Sequence, residues 1–206
     1  MKYIIWDWNG TILDDLQLCI DITNGMLEEH GLPAFKNTDD YRQVFTFPIR
    51  NYYTKIGFDF DKVPFETIAE QFINLYQPQS LNCPLTKDVT KIMETLRIRG
   101  YKQIILSASS QERLDAQVHH FGVNRYVEEI LGLNNIWAAS KIELAQHWIK
   151  NHKTDEIVVI GDTLHDWELA QTIQADCLLF TKGHQIHKSS SDYILFNSME
   201  DLLDYL

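Results

Sequence analysis

The chain has 206 residues, enough for one large domain or for a core carrying an inserted module. Hydrophobic residues make up 45% and charged ones 23%, with no apolar run of roughly 18 residues and no basic, apolar signal pattern at the start, so a globular cytoplasmic protein is expected. A net charge of −11 disfavours nucleic acid as partner, because its backbone needs clustered Lys and Arg, and with no long apolar run no membrane partner is expected; a small anionic substrate would need local cations, a metal or helix N-termini.

Tyr3 to Trp6 is apolar throughout, as strands buried on both faces are, and it delivers Asp7 into the turn Asp7-Trp8-Asn9-Gly10-Thr11. From Leu16 to Cys83 there are helical stripes and no convincing strand; Phe65, Ile68, Ala69, Phe72 and Tyr76 form the clearest stripe. Within this stretch FTFPIRNYYTKIGF reads as a polar and aromatic break, and Pro78 to Pro84 as a return linker. An interval of ~65 residues is too long for a simple crossover, so an inserted helical module is expected.

Beyond it Val89, Ile92, Met93 and Leu96 predict a helix, and Ile104 to Leu106 a strand ending at Ser107. Ser109 and Ser110 read as N-caps for the helix that follows. Ile142, Ala145, Trp148 and Ile149 mark another helix. Ile157 to Ile160 is a strand ending at Gly161-Asp162, followed by a short helix over Asp166 to Ile173. Cys177 to Phe180 and Tyr193 to Phe196 complete the strands. This alternation predicts an α/β fold, a doubly wound parallel-sheet core over 1–15 and 84–206 with an all-helical cap over 16–83. The three cysteines, Cys19, Cys83 and Cys177, have no metal or disulfide spacing and read as ordinary thiols.

In an open α/β sheet ligands bind beyond the carboxyl ends of the strands, and three strands end there on Asp7, Ser107 and Asp162. Each alone is an unremarkable loop residue; together, in this chain order, they resemble the haloacid dehalogenase superfamily, in its phosphoglycolate-phosphatase-like branch with a helical cap. IIWDWNGTILDD matches the first motif, IILSAS the second, Lys141 in AASKIELA the third and VVIGDTLHDWELA the fourth. The resemblance implies a phosphatase for a small phosphorylated metabolite. Asp7 would be the nucleophile and form an aspartyl-phosphate. Mg²⁺ would be held by Asp7, the Asn9 carbonyl and Asp162, with Asp166 binding a metal-bound water or orienting Lys141. Thr11, Ser107 and Lys141 would hold the phosphoryl group.

Asn9 stands where the family has an aspartate that moves the proton. Its amide can donate a hydrogen bond but cannot give up or accept a proton at neutral pH. General acid–base help is typically worth ~10²–10⁴-fold, so turnover on poor leaving groups should be slow. Two other readings remain. One is carbon–phosphorus bond cleavage, as in phosphonoacetaldehyde hydrolases, which resemble the DWNGT segment and need a cap lysine; Lys36, Lys55 and Lys62 are available. The other is a phosphate- or metal-binding protein without turnover. In the cap, Arg50 could hold a substrate carboxylate or second phosphate, or be a solvated side chain. His184 and His187 in GHQIH read as surface or structural, and Trp8 as a packing aromatic.

Overall fold

A computed structural model describes residues 1–133, 141–152, 154 and 156–206; Ala138 to Ser140 of the third motif lie outside the described residues. Six parallel strands form one sheet in the order β3-β2-β1-β4-β5-β6. They are β1 (Lys2–Trp6), β2 (Lys102–Ser110), β3 (Glu129–Leu133), β4 (Glu156–Gly161), β5 (Asp176–Phe180) and β6 (Ile194–Phe196). The chain runs outward from β1 to one edge, then returns to β1's other side for β4. That reversal opens a crevice above β1 and β4, where ligands bind in such sheets.

Each strand face feeds a separate core. Ile4 and Trp6 pack on one side with Val89, Ile92, Met93 and Leu96 of α5 (Val89–Ile98) and Leu114 and Val118 of α6 (Gln111–His120). Tyr3 and Ile5 pack on the other with Ala145 and Trp148 of α7 (Ile142–Asn151) and Leu169, Ala170 and Ile173 of α8 (Leu164–Ile173). Burial on both faces is why β1, β4 and β5 read as continuous apolar runs. β3 escapes that signal. It is an edge strand, half of it only partly buried, and Gly132 interrupts its short EILGL sequence.

Residues 16–80 carry four helices, α1 (Leu16–Glu29), α2 (Thr38–Val44), α3 (Ile49–Lys55) and α4 (Phe65–Ser80). They share an apolar cluster of their own, with Met26, Leu27, Tyr41, Tyr52, Phe65 and Ile68 at its centre. The chain leaves and re-enters the sheet layer side by side: Thr86 N donates to Ile12 O at 2.9 Å and Asp14 N to Pro84 O at 3.0 Å. Two local expectations need correction. The segment read as a break contains α3, whose Tyr52 and Tyr53 turn inward. The expected linker begins too early, because α4 continues through Pro78 to Ser80. Proline removes one backbone donor, and so near the helix end that loss is small.

The two clusters give a first test. Ile92→Ala or Ile68→Ala removes a fully buried side chain, and each is expected to cost ~2–5 kcal/mol in urea unfolding. A loss well under 1 kcal/mol at either position would contradict the packing described.

Candidate active site

Asp7 and Asp162 follow directly on β1 and β4, neighbours in the sheet, and Asp7 N donates to Ile160 O at 2.8 Å. After Asp7 the chain turns tightly, with the Trp8 carbonyl accepting from the Ile12 and Leu13 amides. Trp8 anchors the turn from below, fully buried, its indole N–H donating to Gln117 Oε1 at 2.9 Å. Gly10 is required twice over. Its φ is +71°, and a Cβ there would come within 2.4 Å of both Asp162 Oδ2 and His184 Cδ2.

Three buried carboxylates share one ammonium. Lys141 Nζ lies 2.8 Å from Asp7 Oδ1 and 2.5 Å from Asp166 Oδ1. Oxygens of Asp7, Asp162 and Asp166 all lie within 4.8 Å of one another. Burial and the Asp166 charge raise Asp7 to about 8 against the pull of Lys141. Burial likewise raises Asp162 to about 6. For Asp166 burial acts upward, but Lys141 and the Thr163 donors outweigh it and hold it low. Lys141 is held above its ordinary value, since Asp166 and Asp7 overcome its desolvation. Even with the His184 ring beside Asp15 and Asp162, the buried carboxyl groups outnumber the cations. A set of hard oxygen donors with surplus negative charge fits a divalent cation such as Mg²⁺.

Asp166 is engaged through both carboxylate oxygens. Its Oδ2 closes a capping box on α8, accepting from Thr163 N at 3.0 Å and Thr163 Oγ1 at 2.8 Å, while Oδ1 holds Lys141. Thr11 differs from expectation. Its hydroxyl donates to Asp162 Oδ1 at 3.2 Å and it does not line the cavity, so it orients a carboxylate instead of facing a phosphoryl group. Ser107 is buried and lines the cavity.

Asn9 is held by three groups. Its Nδ2 donates to Asp15 Oδ2 at 2.8 Å and to the Tyr76 hydroxyl at 2.7 Å, and its Oδ1 accepts from Ser109 Oγ at 3.0 Å. Ser109 therefore touches the loop in place of capping α6; Ser110 holds the N-cap position without a side-chain bond. Asp15 is the residue the sequence reading leaves out. Buried, it also accepts from Gly10 N, Tyr76 Oη and the His184 ring. His184, taken as a surface or structural histidine, is buried in the cavity wall between Asp15 and the Tyr41 hydroxyl. Desolvation would lower it, but Asp15, then Asp162 and Asp7, raise it to about 9. Its backbone N–H donates to Asp162 Oδ2 at 2.6 Å.

These residues floor a half-open cavity of about 200 Å³ roofed by α1, α2, α3, α4 and the α2–α3 connection. Arg42 of α2 donates to the carbonyls of Thr181, Gly183 and Gln185, and Phe45 stacks on His184 at 5.0 Å, tying this layer to the loop after β5. Arg50 is not brought to the cavity; its guanidinium lies on the rings of Phe60 at 4.5 Å and Phe65 at 5.2 Å. Lys36, Lys55 and Lys62 are exposed and none lines the cavity, so carbon–phosphorus cleavage lacks its Schiff-base lysine there. His187 bonds the Asp162 carbonyl and lies outside the lining. Among the described residues no helix is long and apolar enough to cross a membrane.

The sequence matches the haloacid dehalogenase-like hydrolase family over residues 4–180. No curated protein matches it. Solved structures that resemble the fold include a haloacid dehalogenase-like family hydrolase from Streptococcus pneumoniae, with 16% identity over 99% of this chain and 98% of that one and a TM-score of 0.79. Protein tyrosine kinase A from Mycobacterium tuberculosis has 17% identity over 98% and 96%, with a TM-score of 0.82. A predicted phosphoglycolate phosphatase from Haemophilus somnus has 18% identity over 100% and 97%, with a TM-score of 0.74. At these identities the likeness is one of fold.

Lys141→Met leaves Asp7 and Asp166 buried without their cation and is expected to cost ~3–5 kcal/mol. Added Mg²⁺ should recover more stability in the variant than in the parent, read as thermal shifts across a Mg²⁺ titration. A variant as stable as the parent without metal would contradict the charge imbalance.

Proposed function

The chain belongs to the haloacid dehalogenase-like hydrolases, and on that premise we propose that it is a Mg²⁺-dependent phosphatase of small phosphorylated metabolites that works through an aspartyl-phosphate on Asp7. One observation carries this reading: the Asp7 carboxylate sits at the floor of a cavity, bonded to Lys141 and beside Asp162 and Asp166. A nucleophile for phosphorus, a fixed ammonium and a metal-binding set of carboxylates are the parts that phosphoryl transfer needs.

In the first step an Asp7 oxygen attacks phosphorus in line with the ester oxygen, which departs with the bonding electrons. The Lys141 ammonium and the Ser107 hydroxyl stabilise charge on the transferred group. Asp7, Asp162 and the Asn9 carbonyl would hold Mg²⁺, with Asp166 behind them; when bound, the ion offsets repulsion between the carboxylate and the phosphate and polarises the phosphoryl oxygens. Thr11 and the His184 amide fix the Asp162 carboxylate from behind. In the second step water attacks the same phosphorus, the bond to Asp7 breaks and phosphate is released.

Residues 16–83 act as the cap over a core of 1–15 and 84–206, excluding water around the reacting group. The paired crossings at Asp14–Pro84 and Ile12–Thr86 are the hinge on which such a cap would move.

Asn9 is the neutral partner the buried Asp15 requires. An aspartate there would set two carboxylates at hydrogen-bond distance, where like charges repel. Neither step therefore receives a proton transfer from this position.

Asp7→Asn is expected to abolish phosphoenzyme formation while circular dichroism stays native; surviving activity would refute the nucleophile. Asn9→Asp should speed phosphoryl transfer from alkyl phosphates more than from aryl phosphates, by up to ~10²–10⁴-fold for the former. Equal effects on the two ester classes would count against the missing-acid argument.

A further inference from the structure

We propose that the ester this site takes is a small aromatic phosphomonoester carrying a second acidic group, and that Arg113 holds that group. The inference rests on the phosphatase reading of Asp7 and adds the substrate class to it.

The walls above Asp7 are rings. Phe45, Phe47, Tyr52, Tyr53, Phe72 and Tyr76 line the cavity, several within ordinary aromatic contact of one another: Phe45 and Tyr52 at 5.2 Å, Phe45 and Phe47 at 5.7 Å, Phe72 and Tyr76 at 5.6 Å. At about 200 Å³ the space is below the roughly 300–1,000 Å³ of drug-sized ligand sites, so one ring with its phosphate suits it. A polyhydroxylated sugar suits it less. The lining groups Tyr76, Asp15, Tyr41 and Gln117 already spend hydrogen bonds on protein partners, and sugar hydroxyls buried against the rings would be left unpaired.

The reacting end selects in the same direction. Asn9 cannot protonate a leaving oxygen, Tyr76 Oη is bonded to Asp15, and both ring nitrogens of His184 are taken, by Asp15 and the Tyr41 hydroxyl. Esters whose oxygen departs readily without a proton then react fastest. A phenol, with a pKa of about 10, leaves far more readily than an aliphatic alcohol, which resembles water at about 15.7.

At the cavity wall on α6, Arg113 Nη1 is buried with no hydrogen-bond partner. Lys141 is already bound to Asp7 and Asp166, so Arg113 offers the free cationic donor among the described lining residues. A guanidinium matches a carboxylate or a second phosphate through paired N–H bonds. The cavity thus presents a nucleophile for the phosphate, rings for an aromatic body and a cation for an anionic substituent.

The chemistry balances without a further reactant. An Asp7 oxygen forms a bond to phosphorus as the bond to the aryl oxygen breaks; the phenoxide takes the electron pair and gains its proton from solvent. Water then displaces Asp7 from phosphorus, its proton passing to phosphate and solvent. The second step lacks a base for every substrate, so it is slow and shared. Only the first step distinguishes leaving groups, and it shows as a burst.

The test is rapid mixing of the full chain and Mg²⁺ with phenyl phosphate, carboxyphenyl phosphate or phosphoglycolate, following the released alcohol. Both aryl esters should give a burst of about one phenol per chain, with phosphoryl transfer at least ~10²-fold faster than from phosphoglycolate. Arg113→Met should weaken binding of the carboxyphenyl ester at least ~10-fold more than that of phenyl phosphate. Phosphoglycolate reacting as fast as the aryl esters would overturn the aromatic assignment and leave the phosphatase reading standing. An Arg113→Met variant that affects both aryl esters equally, or neither, would overturn the role of Arg113. No reaction with any ester would bring down the phosphatase reading itself.

Discussion

Lys141 stands between Asp7 and Asp166, and much of the site depends on that ammonium being outnumbered by carboxylates. Three carboxylates gathered at the tips of adjacent strands are too many for it, and burial makes the surplus expensive. The fold tolerates the arrangement by fixing each carboxylate with donors: Thr163 for Asp166, Thr11 and the His184 amide for Asp162. A divalent cation among these carboxylates, as proposed, would supply the positive charge that an anionic phosphate needs. Gly10 allows the close approach, since any side chain there would strike Asp162 and His184.

A second constraint is Asp15, which pairs with the His184 ring and organises the other half of the site. It accepts from Asn9, Gly10, Tyr76 and His184, linking the nucleophile loop to α4 and to the loop after β5. Asn9 is thus embedded in a network built for an uncharged donor. The same contacts join the helical layer to the sheet, so the identity of residue 9 and the closure of the cavity are parts of one structure. The proposed preference for leaving groups that need no proton rests on that coupling.

The parts of the molecule legible in the sequence are those whose cause is local. Strands buried on both faces show as unbroken apolar runs, and residues at their ends sit where a doubly wound sheet binds ligands, which is why Asp7, Ser107 and Asp162 could be found together. Edge strand β3 was hidden because partial burial imposes no such run. Asp15 and His184 were hidden for a different reason: they are 169 positions apart, and neither has a local pattern that marks it. Thr11 was placed at the right loop, but its hydroxyl turns to Asp162, a preference set by a strand 150 residues away and not by the turn itself. Arg50 was drawn by its aromatic neighbours to the outside of the helical layer, a choice no charge pattern announces.

The claim beneath all of this is that one buried carboxylate, and no other, accepts the phosphoryl group. The direct measurement is to mix the protein with Mg²⁺ and an acyl phosphate, quench with acid, reduce with borohydride and map the peptides. The account predicts homoserine at position 7 alone. Homoserine at Asp15, Asp162 or Asp166, or at no residue, would contradict it.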